Sequence, residues 1–244
     1  RESMMQQTVK DAEGTLAFVT TTGSLFLKVS QGWKEIQVGE CLIIIEALVK
    51  RFVFSCLLNN LGLTLICSVF SLKLNLVALN QPHSGDMMGL DMADRMCFEQ
   101  AKAMGLAPNY RAFISSHRQD LVHVVYPGFR QTLPVTNLRG DMMFRNWRSI
   151  FTGNGGPINT RIPIYSFDGR DVLADPFWPQ KSVWHGSTSQ GLRATDKHCE
   201  TWRADHVSVM GQSSSLTSGL LMGQETRSCS NEYIVLCIET HKNP

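Results

Sequence analysis

YSFDGRDVLADPFWPQKSVWHGS (Tyr165–Ser187) decides the fold, together with CETWR (Cys199–Arg203) and CSNEYIVLCIE (Cys229–Glu239). These segments carry three of the five tryptophans and three of the seven cysteines. Bulky rings, tight-turn residues and thiols at this density predict a compact, cross-linked domain without repeats. IPIYSF (Ile162–Phe167), SVWHG and YIVLCI read as short strands, and Phe167–Val172 (FDGRDV) as the turn between two of them. The aromatic set of Trp147, Phe167, Phe177, Trp178, Trp184, Trp202 and Tyr233 reads as core.

Upstream, LVAL (Leu76–Leu79) predicts a buried strand ended by Asn80-Gln81-Pro82. Residues Ala93–Leu106 predict an amphipathic helix with Met96, Cys97, Ala101 and Met104 on one face and Gly105 as its stop. A second short helix is expected over Asp141–Phe151, opened by Asp141, with Met143, Trp147 and Ile150 at helical spacing. The class is therefore α+β with much irregular chain. TLAFV (Thr15–Val19), SLFLKV (Ser24–Val29) and WKEIQV (Trp33–Val38) predict a separate small β unit, with turns at Thr22-Gly23 and Gln31-Gly32. A meander of that size buries too little surface to stand alone and is expected to oligomerise or dock.

Between these parts, Phe52–Leu72 runs 21 residues without a charge. That length suffices for a bilayer crossing, although Asn59, Asn60, Gly62, Thr64 and three serines weaken it. The net charge of +2 argues against a nucleic-acid role, and arginine outnumbers lysine in the main domain, which suits local oxyanion contacts. No CxxC pair supports a zinc ribbon or thioredoxin motif; Cys97, Cys199, Cys229 and Cys237 could pair in three ways. The chain begins at Arg1 without a charged-then-apolar leader and reads as a fragment.

LVALN, CFEQAKAMGL, YRAFISSHRQDL, IPIYSFDGRDV, WPQKSVWHGS, CETWR and YIVLCIE, in this order, resemble the endostatin domain of collagens XV and XVIII. NGGPIN (Asn154–Asn159) leans toward type XV. EGTLAFV and QGWKEIQVGE resemble the trimerisation domain of the same collagens. The resemblance implies a trimerisation domain over residues 5–40, an atypical apolar linker over 41–75 and an endostatin domain, related in fold to C-type lectins, over 76–240. Where the family has a Pro/Ser-rich hinge, the apolar linker reads as a mistranslated or unspliced insert in preference to a membrane anchor.

The resemblance further implies the pairs Cys97–Cys237 and Cys199–Cys229, and with them a secreted, extracellular-matrix or basement-membrane location. The family's zinc positions here hold Leu65, Cys67, Asn75 and Gly140, a poor ligand set, so no metal and no cofactor is expected. His83, His117, His123, His185, His198, His206 and His241 then read as ordinary histidines. Arg130 and Arg203 match basic positions of the heparan-sulfate patch. Asp91 and Tyr126-Pro127 replace other arginines of that patch, so weak heparan-sulfate binding is expected.

The family's partners also include integrins and basement-membrane glycoproteins, and the trimerisation domain implies a homotrimer. Proteolytic release is expected to give cell-adhesion and anti-angiogenic signalling. Arg139-Gly140-Asp141 spells the integrin-recognition tripeptide. Two other classes fit less well. A calcium-dependent lectin lacks its clustered ligands, and Asp168, Asp171 and Asp175 lack calcium-loop spacing. An enzyme could use only His185 and Ser187 in WHGS, which no catalytic signature frames, so no catalytic residue is expected.

Overall fold

A computed structural model describes residues 16–19, 24–29, 32–36, 52–58, 64–71 and 73–240. The chain divides into two units, residues 1–72 and 73–244.

In the first unit, β1 (Leu16–Val19), β2 (Ser24–Val29) and β3 (Gly32–Ile36) form the expected meander. The apolar stretch 41–75 contains strands of its own. It supplies β4 (Phe52–Leu58) and β5 (Thr64–Ser71), and β5 pairs with β1 to give the sheet order β3-β2-β1-β5-β4. The β-branched and aromatic runs FVFSCLL and TLICSVFS suit a pleated ladder. Among the described residues, no helix is long and apolar enough to cross a membrane.

The second unit is built on a mixed sheet of order β7-β13-β6-β8-β9. Its strands are β6 (Leu74–Ala78), β7 (Tyr110–Ala112), β8 (Val135–Thr136), β9 (Met142–Phe144) and β13 (Leu236–Glu239). β13 runs antiparallel to both β6 and β7, while β6 and β8 are parallel. β6 and β13 are apolar runs lacking strict alternation, as strands covered on both faces require; Leu74, Leu76, Val77, Leu236, Cys237 and Ile238 are all buried. A three-stranded sheet of β10 (Ser182–Trp184), β11 (Met210–Ser215) and β12 (Glu225–Ser228) joins β13's approach through a parallel bridge, Val183↔Ile234. Ile162–Phe167 is not a strand. It is extended chain with bridges only at Ala78↔Ser166 and Tyr165↔Asp171, because Gly169 (φ 86) turns it back at once.

The helix α1 spans Leu90–Ala103, three residues earlier than the periodicity suggests. Gly89 at φ 92 opens it, and Leu90, Ala93, Cys97 and Ala101 form its buried face. Met104 is at the C-cap and exposed, so it leaves that face. The second expected helix is absent. Met142–Phe144 pairs with β8 instead, and only Trp147–Phe151 coils, as a 3-10 turn. Its cap is Asn146, whose carboxamide accepts from Ser149 N–H at 2.9 Å; Asp141 has no part in it.

Trp147, Trp178, Trp184 and Trp202 are all fully buried, and Trp184 lies 4.5 Å from the Tyr233 ring. Phe177, read as core, is instead half exposed, and Arg170 lies 4.8 Å over its ring. Cys97–Cys237 ties α1 to β13, and Cys199–Cys229 closes a loop 30 residues long. The latter is packed against backbone on both sides. A Cβ on Gly211 would meet Cys199 Sγ at 2.7 Å, and one on Gly85 would meet Cys229 Cβ at 2.6 Å. Cys199, Glu200, Thr201 and Trp202 all have positive φ (51, 50, 63 and 65°), so CETW is one left-handed helical turn. Trp202 N–H donates to His198 O and Arg203 N–H to Cys199 O, each at 2.9 Å, the spacing of an α-turn in the opposite hand.

Candidate functional site

The β8–β9 connection places Arg139, Gly140 and Asp141 together at an exposed turn. Asn137, itself fully buried, organises it. Its carboxamide oxygen accepts the Arg139 and Asp141 N–H groups, each at 3.0 Å. Its amide nitrogen donates to Asp141 Oδ2 at 2.9 Å and Pro163 O at 3.0 Å. Gly140 N–H closes the turn onto Asn137 O at 3.0 Å. Gly140 sits at φ 91, a conformation that side-chain-bearing residues rarely adopt. Lys73 Nζ stands 3.3 Å from where a Cβ on Gly140 would be, so a cation borders the turn. The Arg139 guanidinium lies 4.5 Å over the Tyr165 ring. The turn thus offers one carboxylate oxygen not held by Asn137, beside a cation parked on an aromatic face.

The two arginines of the expected anion patch sit in different environments and share no partner. Arg130 lies in the turn after Pro127–Phe129. Its Nε donates to Val125 O at 2.7 Å and its Nη2 to His123 O at 2.9 Å. Burial, and then the neighbouring Arg148, lower its pKa. Arg203 follows the left-handed turn and packs against Gly89, where a Cβ would meet its Nη2 at 2.7 Å. Asp91 stands in its field. Asp91 accepts from Arg118 Nη2 at 2.6 Å, and this bond, with the charges of Arg118, Arg203 and Arg111, holds its carboxyl below the usual range.

Residues 74–242 match the family described as Collagenase NC10 and Endostatin. The chain belongs to the endostatin family. Residues 1–43 match the collagen trimerization domain. The human collagen alpha-1(XVIII) chain is 51% identical over 170 residues, which cover 70% of this chain and 10% of that relative. The chain therefore spans about a tenth of that relative's length. The expected recognition and the α+β class hold.

Within the endostatin domain, WHGS forms part of the core. His185 and Ser187 are fully buried, His185 Nδ1 accepts from Ser187 N–H at 3.0 Å, and His185 Nε2 lies 2.9 Å from Gly223 O. That arrangement fixes a neutral imidazole with its proton on Nε2, and burial lowers its pKa to about 4. Ser187 Oγ donates to His185 O and contacts Ser115 Oγ at 2.7 Å, so it is not aimed at the imidazole. The pair supports packing, and endostatins are not an enzyme family.

The acids after Phe167 are similarly committed. Asp168 pairs with Arg170 at 2.8 Å, while Asp171 and Asp175 accept the N–H groups of Leu173 and Phe177. Among the described residues, no group of three His, Cys, Asp or Glu could hold a metal. Of the positions expected to correspond to family zinc ligands, Asn75 donates to Glu239 Oε2 at 2.8 Å and Gly140 belongs to the turn above. His241 lies outside the described residues. Two contributors escape a reading of the sequence. Asn137 is signalled only by an Asn two residues before Arg139, an Asx-turn pattern. Arg148 is signalled by nothing, because its neighbour Arg130 is eighteen positions away.

Proposed function

We propose that this chain is an extracellular-matrix collagen C-terminal module whose endostatin domain presents Arg139-Gly140-Asp141 to an integrin-type receptor. The observation that carries this reading is the exposed turn itself. All three residues reach solvent, Gly140 takes the φ that glycine allows, and buried Asn137 holds the backbone in one conformation. A preorganised loop loses less entropy on binding than a flexible one. Residues 5–40 assemble three copies, as the match to the trimerization domain supports, which multiplies a weak single-site contact into avidity. The protein is secreted to the basement membrane, where its glycoproteins and heparan sulfate are further partners, the latter weak. Proteolytic release yields a fragment with adhesion-modulating, anti-angiogenic signalling.

The test is cell attachment to surfaces coated with the wild-type chain and with Asp141→Ala, with circular dichroism to check that both are folded. Divalent-cation-dependent attachment that drops on Asp141→Ala is the expected result. Equal attachment to both surfaces would remove the tripeptide from the function.

A further inference from the structure

Asn154 is the only asparagine of the chain that is followed by glycine. The backbone nitrogen of the next residue can attack an asparagine carboxamide, and glycine, with no Cβ, leaves that approach open. Asn154 is exposed on the turn that follows Trp147–Phe151. Its carboxamide oxygen accepts from Thr152 Oγ1 at 2.8 Å and from Gly156 N–H at 3.2 Å. Negative charge gathers on that oxygen as the carboxamide carbon is attacked, and two donors already aimed at it stabilise the charge. Asn154 Nδ2 bonds nothing among the described residues, so water can protonate it as it leaves. Gly155 is buried, yet its N–H donates to nothing among the described residues, while its carbonyl accepts from Met222 N–H at 2.8 Å. A buried N–H without an acceptor is rare, and this one has no hydrogen bond to give up when its nitrogen attacks.

Asp168-Gly169, the comparable dipeptide of the same domain, is arranged in the opposite way. Its carboxylate accepts from Ser166 Oγ and Arg170 Nε, and Gly169 N–H donates to Ser166 O at 2.9 Å. An ionised carboxylate is a poor electrophile, and here the neighbouring N–H is occupied as well.

We propose that Asn154 is a site of self-modification: Gly155 N bonds to Asn154 Cγ, the Cγ–Nδ2 bond breaks, and a five-membered cyclic imide forms. The Gly155 amide proton ends, through water, on Nδ2, which departs as ammonia. Water then opens the ring at Cγ to give aspartate, or at the Asn154 main-chain carbonyl to give isoaspartate. No oxidant or other co-reactant enters. Isoaspartate routes the main chain through the side chain and adds one methylene before Gly155. Beyond that point Leu221 N–H bonds Gly156 O at 2.9 Å and Ile158 N–H bonds Gly219 O at 2.8 Å. A Cβ on Gly155 would stand 3.2 Å from Leu220 Cδ1, so the displaced chain has little room. The isoaspartyl form therefore releases residues 155–158 from residues 219–222, whereas the aspartyl form keeps the backbone length and the pairing. The step is a slow, water-driven loosening of one edge of the domain, and it is independent of the receptor proposed above.

The experiment is ageing of the full chain at neutral pH and body temperature, followed by peptide mapping with mass spectrometry and isoaspartyl methyltransferase labelling. Asn154 is expected to convert ahead of every other asparagine of the domain, and at least as fast as in the urea-unfolded chain. Thr152→Val should slow conversion in the folded chain about fivefold, the worth of one hydrogen bond, and leave the unfolded rate unchanged. Thr152→Ser keeps the hydroxyl and should keep the rate. Brief trypsin treatment should cut at exposed Arg161 faster in aged wild type than in fresh protein or in fresh Asn154→Asp. Conversion much slower in the folded than in the unfolded chain overturns the proposal, because the fold would then protect Asn154. An unchanged rate in Thr152→Val overturns the role of the paired donors. Equal trypsin sensitivity of fresh Asn154→Asp and aged wild type overturns the part assigned to backbone lengthening.

Discussion

The Asn137 carboxamide donates to the Asp141 carboxylate at 2.9 Å and accepts the backbone N–H groups of both Arg139 and Asp141 at 3.0 Å. One buried side chain therefore holds the shape of an exposed tripeptide. Asn137→Ala is expected to leave these N–H groups and Pro163 O without their partner, at a cost of about 3 kcal/mol. Differential scanning calorimetry should show a Tm lower by roughly 10 °C for a domain of this size. Cell attachment should fall even below the unfolding temperature, because the turn loses its template; attachment at the wild-type level would show that the turn keeps its shape without Asn137.

The left-handed turn at Cys199–Trp202 makes a second prediction of opposite sign. Non-glycine residues in this conformation cost roughly 1–2 kcal/mol each. Here the surroundings hold them. Trp202 Nε1 donates to Ser115 O at 2.7 Å, Trp202 O accepts from Met87 and Gly89 N–H, and His198 Nδ1 accepts from Thr201 N–H at 3.0 Å. Glu200 is exposed and at φ 50. Glu200→Gly should stabilise the domain by about 1 kcal/mol, after the extra unfolded-chain entropy of glycine is subtracted. A rise in Tm of roughly 2–4 °C is the readout; a fall would mean the Glu200 side chain makes a contribution that outweighs its strain.

Acid stability should be set in part by His185. Its pKa is about 4 in the folded protein against an ordinary 6.5, so between these values the unfolded chain binds more protons than the folded one. Stability is thus fully present above pH 6.5 and is lost as pH falls toward 4, by an amount on the order of 3 kcal/mol. His83, whose pKa is also lowered by burial, acts in the same direction. Urea midpoints measured from pH 7 to pH 4 should fall across this window, and His185→Gln should flatten the slope. A slope unchanged in the variant would assign the acid sensitivity to other groups.

The disulfide between α1 and β13 spans 140 residues, and the chain-entropy account gives it about 5 kcal/mol. Cys97→Ala with Cys237→Ala should lower the free energy of unfolding by an amount near that value. The same paired replacement of Cys199 and Cys229 should cost about 4 kcal/mol by chain entropy, plus whatever the release of the left-handed turn returns. Guanidinium denaturation of the two double variants would compare them directly.

What could be read from the sequence was what period and composition encode. LVAL, SVW and the end of YIVLCIE are short, mostly apolar runs bounded by turn residues, and they became β6, β10 and β13. α1 was legible from Cys97 and Ala101, but its start was not, because Gly89 at positive φ does a job usually assigned to a capping side chain. Asp141–Phe151 misled for a physical reason. Trp147 and Ile150 have helical spacing because a 3-10 turn also puts residues three apart on one side, while Met142–Phe144 is claimed by β8. The hand of the CETW turn leaves no trace in residue type. Asp91 and Arg203 are far apart in the chain and meet only through the fold, and the same holds for Arg130 and Arg148.

The place of β13 has a consequence for how the domain is made. The last described strand is inserted between β7 and β6, one place from the edge of the sheet, and its residue Ile238 faces Leu76 and Arg111 across the two ladders. During synthesis, β6 and β7 must wait with open edges for nearly the whole domain to emerge, and Cys97 must wait for Cys237. Such edges are templates for wrong pairing, and sequence-distant contacts close slowly. The domain cannot assemble vectorially as it is translated. The sheet is completed only when that strand arrives, and a chain that stops short of it loses the link between β7 and β6 along with its tail.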